Sequence, residues 1–215
     1  MVTSSSCAVD LYWIPLGAGA RFVRFNGRVY EALSATVGHR PRCDLYHSAL
    51  EVTVDGVRFA IEMTPIPDRD GARRGVVREG PVGSHLARGL RLFRYEIRRW
   101  PGGVIPDATY AVGGPVHLTT DPDCARRLLE LVPSVPTLVW GRDELRAGDM
   151  WNSNSVISWL LARSGVDTTS IQPPEGGRAP GWHAGLVAAD RSSGSEPRRT
   201  VEADPNATRP RTSAA

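Results

Sequence analysis

The sequence contains no lysine: all 26 of its Lys and Arg residues are arginine. That removes a Schiff-base lysine, a P-loop lysine and a lysine general base from the available chemistry. The arginines are scattered and the formal net charge is only +3, so no basic stripe marks a nucleic-acid surface. Cysteine is scarce. Cys7, Cys43 and Cys124 form no C-x-x-C, and the dispersed His39, His47, His85, His117 and His183 add no metal-ligand spacing. No apolar run approaches the roughly 20 residues of a membrane span, and the first residues lack the basic and apolar regions of a secretory signal. The reading is a soluble, cytoplasmic protein of a reducing compartment, with no metal, no cofactor, no nucleic-acid partner and no membrane span.

What is present fits one globular domain. With 215 residues, 41% of them hydrophobic and 23% charged, the chain is long enough for a sizeable core. A single domain is expected over 1–190. Beyond it, 191–215 is Ser, Arg, Pro, Glu, Thr and Ala with little to bury, and reads as a disordered, dispensable tail.

Strand signals dominate the first half. Residues 10–16 read as a first strand and 22–32 as a hairpin turning at Asn26-Gly27. The clearest hairpin joins 45–54 to 57–64 through Asp55-Gly56. In a two-residue register Val54 faces Val57, Val52 faces Phe59 and Leu50 faces Ile61, so one face is wholly apolar. The other carries His47, Ala49, Glu51, Thr53, Arg58, Ala60, Glu62 and Thr64. His47 then lies opposite Thr64 and diagonal to Glu62, about 7–8 Å away at the base. Residues 65–83 read as an irregular connection, 90–100 as another strand, and 122–132 as a helix capped by Asp121 with Pro122 in its first turn. Residues 173–182 read as a fixed loop anchored by Trp182.

The chain is organised around 150–161. Val156, Ile157, Leu160 and Leu161 recur at helical spacing, while Asn152, Ser153, Asn154 and Ser155 are residue types that cap a helix N-terminus. A side-chain oxygen there faces unpaired N–H groups and the positive end of the helix dipole. That environment suits a plain cap, and it also suits a nucleophile whose developing charge needs stabilising.

A histidine on a strand, a carboxylate on the neighbouring strand and a small polar group at a helix start are the parts of a nucleophile–base–orienter arrangement. In that order the stretches Leu45-Tyr46-His47-Ser48-Ala49-Leu50 and Asn152-Ser153-Asn154-Ser155-Val156 resemble the circularly permuted branch of the NlpC/P60 papain-like superfamily, which includes the PPPDE peptidases and lecithin retinol acyltransferase-like proteins. The resemblance spans roughly 10–161. It implies an α+β fold, with an antiparallel sheet of about five or six strands packed against the helix at 153–162. It places His47 as the base, Glu62 as its orienting residue with Glu51 a weaker contender, and Ser153 in the position of the nucleophilic cysteine. Asn152 and Asn154 would border the oxyanion site, and Trp151 would line the pocket. The implied function is a hydrolase or acyltransferase acting on an amide, ester or thioester of a small-molecule, peptide or acyl substrate. The departure is the serine. A hydroxyl cannot form the thiolate–imidazolium pair of such sites, so a second reading stands beside the first: a pseudoenzyme, a papain-like binding module that has lost the nucleophile. Cys43 is no replacement, being four residues from His47 on one extended segment, roughly 13 Å away. The expected geometry brings Ser153 Oγ near an imidazole nitrogen at a cleft edge, with Glu62 raising the His47 pKa.

Overall fold

The computed structural model of the chain describes residues 7–16, 43–66, 75–90, 93–105 and 107–194. Among these lie β1 (Ala8–Pro15), β2 (Tyr46–Val54), β3 (Val57–Pro65), β4 (Val76–Pro81), β5 (Arg94–Pro101) and β6 (Val116–Thr119). They are followed by α1 (Pro122–Leu131), α2 (Ser153–Ser164) and α3 (Trp182–Gly194). The fold is α+β. The strands form one antiparallel sheet in the order β4-β5-β3-β2-β1-β6.

The β2–β3 hairpin sets the sheet's two faces. Asp55 and Gly56 both have positive φ, 51° and 77°, the signature of a type I′ turn whose twist suits paired strands. Val54 faces Val57, Val52 faces Phe59 and Leu50 faces Ile61, the register that the apolar alternation demands. Leu50, Val52 and Ile61 then join Val9, Leu11, Tyr95 and Ile97 in the main core. Onto this face pack α1 and α2, while α3 lies against α2. The far face is mixed. Ile14, Ala49, Ala60 and Ile105 make a small apolar cluster there, amid charged residues.

Helix ends follow their sequences. Asp121 Oδ1 accepts from the Asp123 N–H at 2.9 Å with Pro122 behind it. Gly165 closes α2 in the left-handed region, φ 95°, which a side chain rarely adopts.

Three elements differ from the sequence reading. The 65–83 connection contains β4, an edge strand interrupted in pattern by Gly80. A Cβ at Gly80 would strike the ring of Tyr95, its partner in register, so the glycine is what lets this strand lie on a buried tyrosine. The four-residue β6 is too short for its alternation to register. Residues 182–194 form α3, for which the sequence reading had only the Trp182 anchor and no helix, and it runs past the tail boundary placed at 190. Its buried residues Ala184, Ala188 and Ala189 are small because α3 sits so close to α2 that a Cβ at Gly185 would meet Ser155 O and Ser158 Oγ. An alanine and glycine face carries little amphipathic signal. The expected hairpin at 22–32 and residues 195–215 lie outside the described residues. Among the described residues no helix is long and apolar enough to cross a membrane.

Candidate functional site

The starts of β2 and α2 meet. The β2–β3 ladder runs from Val54↔Val57 to Leu50↔Ile61. Nearer the beginning of β2, the polar groups of Tyr46 turn to other partners. Tyr46 N–H donates to Arg178 O at 2.8 Å, and Tyr46 O accepts from Asn154 Nδ2 at 2.9 Å. Two residues on, Ser48 Oγ donates to Asn154 Oδ1 at 2.8 Å, a buried bond between residues 106 apart in sequence. The first turn of α2 and the 178–181 segment thus complete this end of β2.

The polar residues at the head of α2 are nearly all occupied in that union. Asn152 is the N-cap: its Oδ1 accepts from Asn154 N–H at 2.9 Å and its Nδ2 donates to Pro180 O at 2.8 Å. Ser155 completes a capping box by accepting from Asn152 N–H at 3.0 Å. Its own hydroxyl donates to Gly181 O at 2.7 Å. Asn154 Nδ2 also reaches Pro180 O at 2.7 Å, and Ser158 Oγ donates to Trp182 O at 2.8 Å. Asp149 returns the contact by accepting from Gly181 N–H at 2.8 Å. Gly181, with φ 90°, lies so near Asn152 that a Cβ would collide with its amide. A loop carrying Pro180 and Gly181 offers carbonyls that no ladder uses, and these side chains supply the donors.

Two residues stand outside this network. Among the described residues neither the N–H nor the hydroxyl of Ser153 makes a hydrogen bond, and neither does the imidazole of His47. Ser153 is the first residue of α2 and is buried, 6% exposed, rather than at an open cleft edge. His47 lies between Tyr46, which joins the core, and Ser48, which bonds Asn154. Strand alternation therefore turns its side chain to the far face, where its partner across the ladder is Ile14. The structure brings together the chain neighbours of Ser153 and His47, while no hydrogen bond joins the two residues themselves.

The electrostatics differ from expectation. Burial lowers the His47 pKa to about 4, with no carboxylate opposing it, so the imidazole is neutral at pH 7. The expected upward shift from Glu62 does not occur. Glu62 Oε1 instead accepts from Arg98 Nη1 at 3.0 Å, and Arg98 also donates to Glu96 through Nε and Nη2 at 2.9 and 2.8 Å. This guanidinium is 4% exposed. β5 places Arg98 directly across from Glu62, a neighbour that the β2–β3 hairpin alone does not reveal. Glu51 lies 3.7 Å from Arg58. Trp151, expected to line a pocket, is 1% exposed and belongs to the main core. The side chains of Asn152 and Asn154, expected to border an oxyanion site, are bound into the 178–181 contact. The sequence reading missed Ser48, Asp149, Arg98 and Arg178. Only Arg98 carried a signal, through the alternation of Arg94, Glu96 and Arg98 along β5.

Among the described residues no group of three or more His, Cys, Asp or Glu side chains could hold a metal ion. No known protein family, curated protein or solved structure matches the chain.

Proposed function

We propose that this is a papain-like module of the permuted NlpC/P60 kind that binds without turning over: it keeps the strand-histidine and helix-start positions of that site but lacks a working nucleophile–base pair. The observation that carries the proposal is His47. Its imidazole is held neutral, with a pKa of about 4, and among the described residues it has no bond to Ser153 or to a carboxylate. A thiolate site needs the opposite, an imidazolium beside the sulfur. A serine site needs a neutral base, but one with a pKa near the working pH and an orienting acceptor on its second nitrogen. With Glu62 bound to Arg98, no described residue supplies that acceptor. The ligand classes remain those of the resemblance: a peptide, an acyl compound or a small molecule bearing a carbonyl.

One observation favours a second reading. Among the described residues the N–H and hydroxyl of Ser153 are both without a hydrogen bond at the positive end of α2, in a helix start where the other polar side chains are engaged. On this reading Ser153 Oγ attacks the carbonyl carbon of an ester, amide or thioester. Its proton passes through water to the leaving group, because the His47 side chain turns to the far face of the sheet, and a second water then hydrolyses the acyl-serine. The Ser153 N–H would stabilise the oxyanion.

Labelling with a fluorophosphonate probe separates the two. The binding-module reading expects no adduct on Ser153 at any pH where the protein stays folded. A Ser153 adduct that disappears in Ser153→Ala would establish the acyl-transfer reading instead.

A further inference from the structure

The strongest unassigned feature lies at the opposite end of α2. A cavity of about 490 Å³ opens between β6 and the 165–172 segment that follows α2. Its lining includes Val116, His117, Leu118 and Thr119, the whole of β6. Successive side chains of a strand point to opposite faces, and although the register shifts between Val9 and Asp10, lining by all four consecutive residues places the cavity along the strand's edge. β6 ends the sheet, and among the described residues nothing pairs with its outer edge.

The register fixes which groups face it. Leu16 N–H donates to Leu45 O across the β1–β2 ladder, so the even-numbered residues of β1 turn their polar groups to β2 and the odd-numbered ones to β6. Trp13 O accepts from Val112 N–H on the β6 side, as this requires. Leu11 is paired with Val116, so Val116 bonds inward and the N–H and C=O of His117 point out to the open edge. The His117 imidazole does not obstruct the groove, since its Nδ1 lies 2.9 Å from Asp10 Oδ1 on the sheet's far face.

The opposite wall is apolar, with Val166 and Ile171, and exposed carboxylates stand in the lining at Asp121 and Asp167. The C-terminal end of α2 also reaches the groove, where Arg127 Nη1 already donates to Ser164 O at 3.4 Å, so the preference for a cation rests on the two carboxylates. An arginine or lysine side chain matches this lining, laying its methylenes on the apolar wall and its charged head by a carboxylate.

We infer that β6 and the 165–172 segment form a docking groove for an extended cationic peptide, which adds to the sheet as a seventh strand through His117 and seats a basic side chain near Asp167. Strand addition is an established mode of peptide recognition: main-chain bonds give affinity, and a side-chain pocket gives specificity.

The test uses the full chain and a short blocked peptide of alternating threonine and valine with one central arginine. Binding is followed by backbone amide resonances. The expected result is saturable shifts confined to 116–119 and 165–172. Replacing the central arginine by glutamate should weaken binding about fivefold or more, the scale of one exposed ion pair plus a like-charge clash. Asp167→Asn should weaken the arginine peptide about threefold. That substitution keeps the oxygen that accepts from Thr169 N–H and Oγ, so the loop is retained. N-methylation of alternate peptide amides should abolish binding. Absence of binding, equal binding of the glutamate or N-methylated peptide, binding of blocked arginine alone as tightly as the peptide, or shifts centred elsewhere would each overturn the inference.

Discussion

Asn154→Ala distinguishes a structural amide from a functional one. Asn154 is 2% exposed, and its side chain accepts from Ser48 Oγ at 2.8 Å and donates to Tyr46 O at 2.9 Å and Pro180 O at 2.7 Å. Truncation leaves Pro180 O with the Asn152 amide at 2.8 Å, but orphans the Tyr46 carbonyl and the Ser48 hydroxyl. A buried polar group stripped of its partner costs about 1–3 kcal/mol, so two of them bring the expected loss to roughly 3 kcal/mol. Ser48→Ala orphans only Asn154 Oδ1 and should cost about 1–2 kcal/mol. The double variant removes both ends of the Ser48–Asn154 bond, so its cost should fall short of the sum by about 1 kcal/mol. Urea unfolding at neutral pH, read by linear extrapolation with constant slope, measures all three. If Asn154→Ala costs less than about 1 kcal/mol, the amide does not hold β2 to α2, and its place in the structural network is wrong.

Other residues give sharper contrasts. Arg98→Met should destabilise by about 3–5 kcal/mol, because it leaves the carboxylates of Glu62 and Glu96 together without their cation; a loss under about 1 kcal/mol in urea unfolding would show that Glu62 is free for another task. Ser153→Ala should change stability by no more than about 0.5 kcal/mol, since the hydroxyl makes no bond among the described residues, and a larger loss would mean that it is engaged. The His47 pKa falls from 6.5 to about 4 on folding, so between those values the unfolded chain binds more protons than the folded one. Stability is then fully present above about pH 6.5 and is lost as pH falls toward 4, by up to about 3 kcal/mol. His47→Phe should flatten the pH dependence of the urea midpoint across that window, and an unchanged slope would place the titration elsewhere.

The parts of the fold that were legible in the sequence are those where one local rule decides. Asp55-Gly56 admits a tight turn, the turn dictates the register, and the register sorts Leu50, Val52, Phe59 and Ile61 onto one face. Asp121-Pro122 and Gly165 bound their helices by backbone geometry alone. The elements that escaped depend on a partner distant in sequence. β4 is a strand because β5 lies beside it, and Gly80 suits it because Tyr95 occupies the space a Cβ would take. α3 is built from alanines and a glycine because α2 is close, and small residues leave a weak periodic trace.

The head of α2 is ambiguous in the sequence for a related reason. Asn, Ser, Asn, Ser at a helix start is equally suited to cradle a nucleophile and to dock a loop, because both tasks call for short hydrogen-bonding side chains among unpaired backbone groups. What separates the tasks is where each partner lies, and here the partners are the carbonyls of Pro180 and Gly181, 26 to 28 positions away. Once those bonds are assigned, Asn152, Asn154 and Ser155 need no catalytic explanation, and the question narrows to Ser153 and His47. The same physics then bears on chemistry. An imidazole pushed down to about 4 gives up most of the driving force for taking a hydroxyl proton near neutrality, and the helix dipole at Ser153 cannot restore it, because that dipole stabilises negative charge on the serine rather than positive charge on the histidine. A thiolate at the same position would act on both groups, since its charge favours the imidazolium and the imidazolium favours the charge. Ser153 carries no such charge, and His47 rests half-buried, neutral and, among the described residues, without a hydrogen bond from its imidazole.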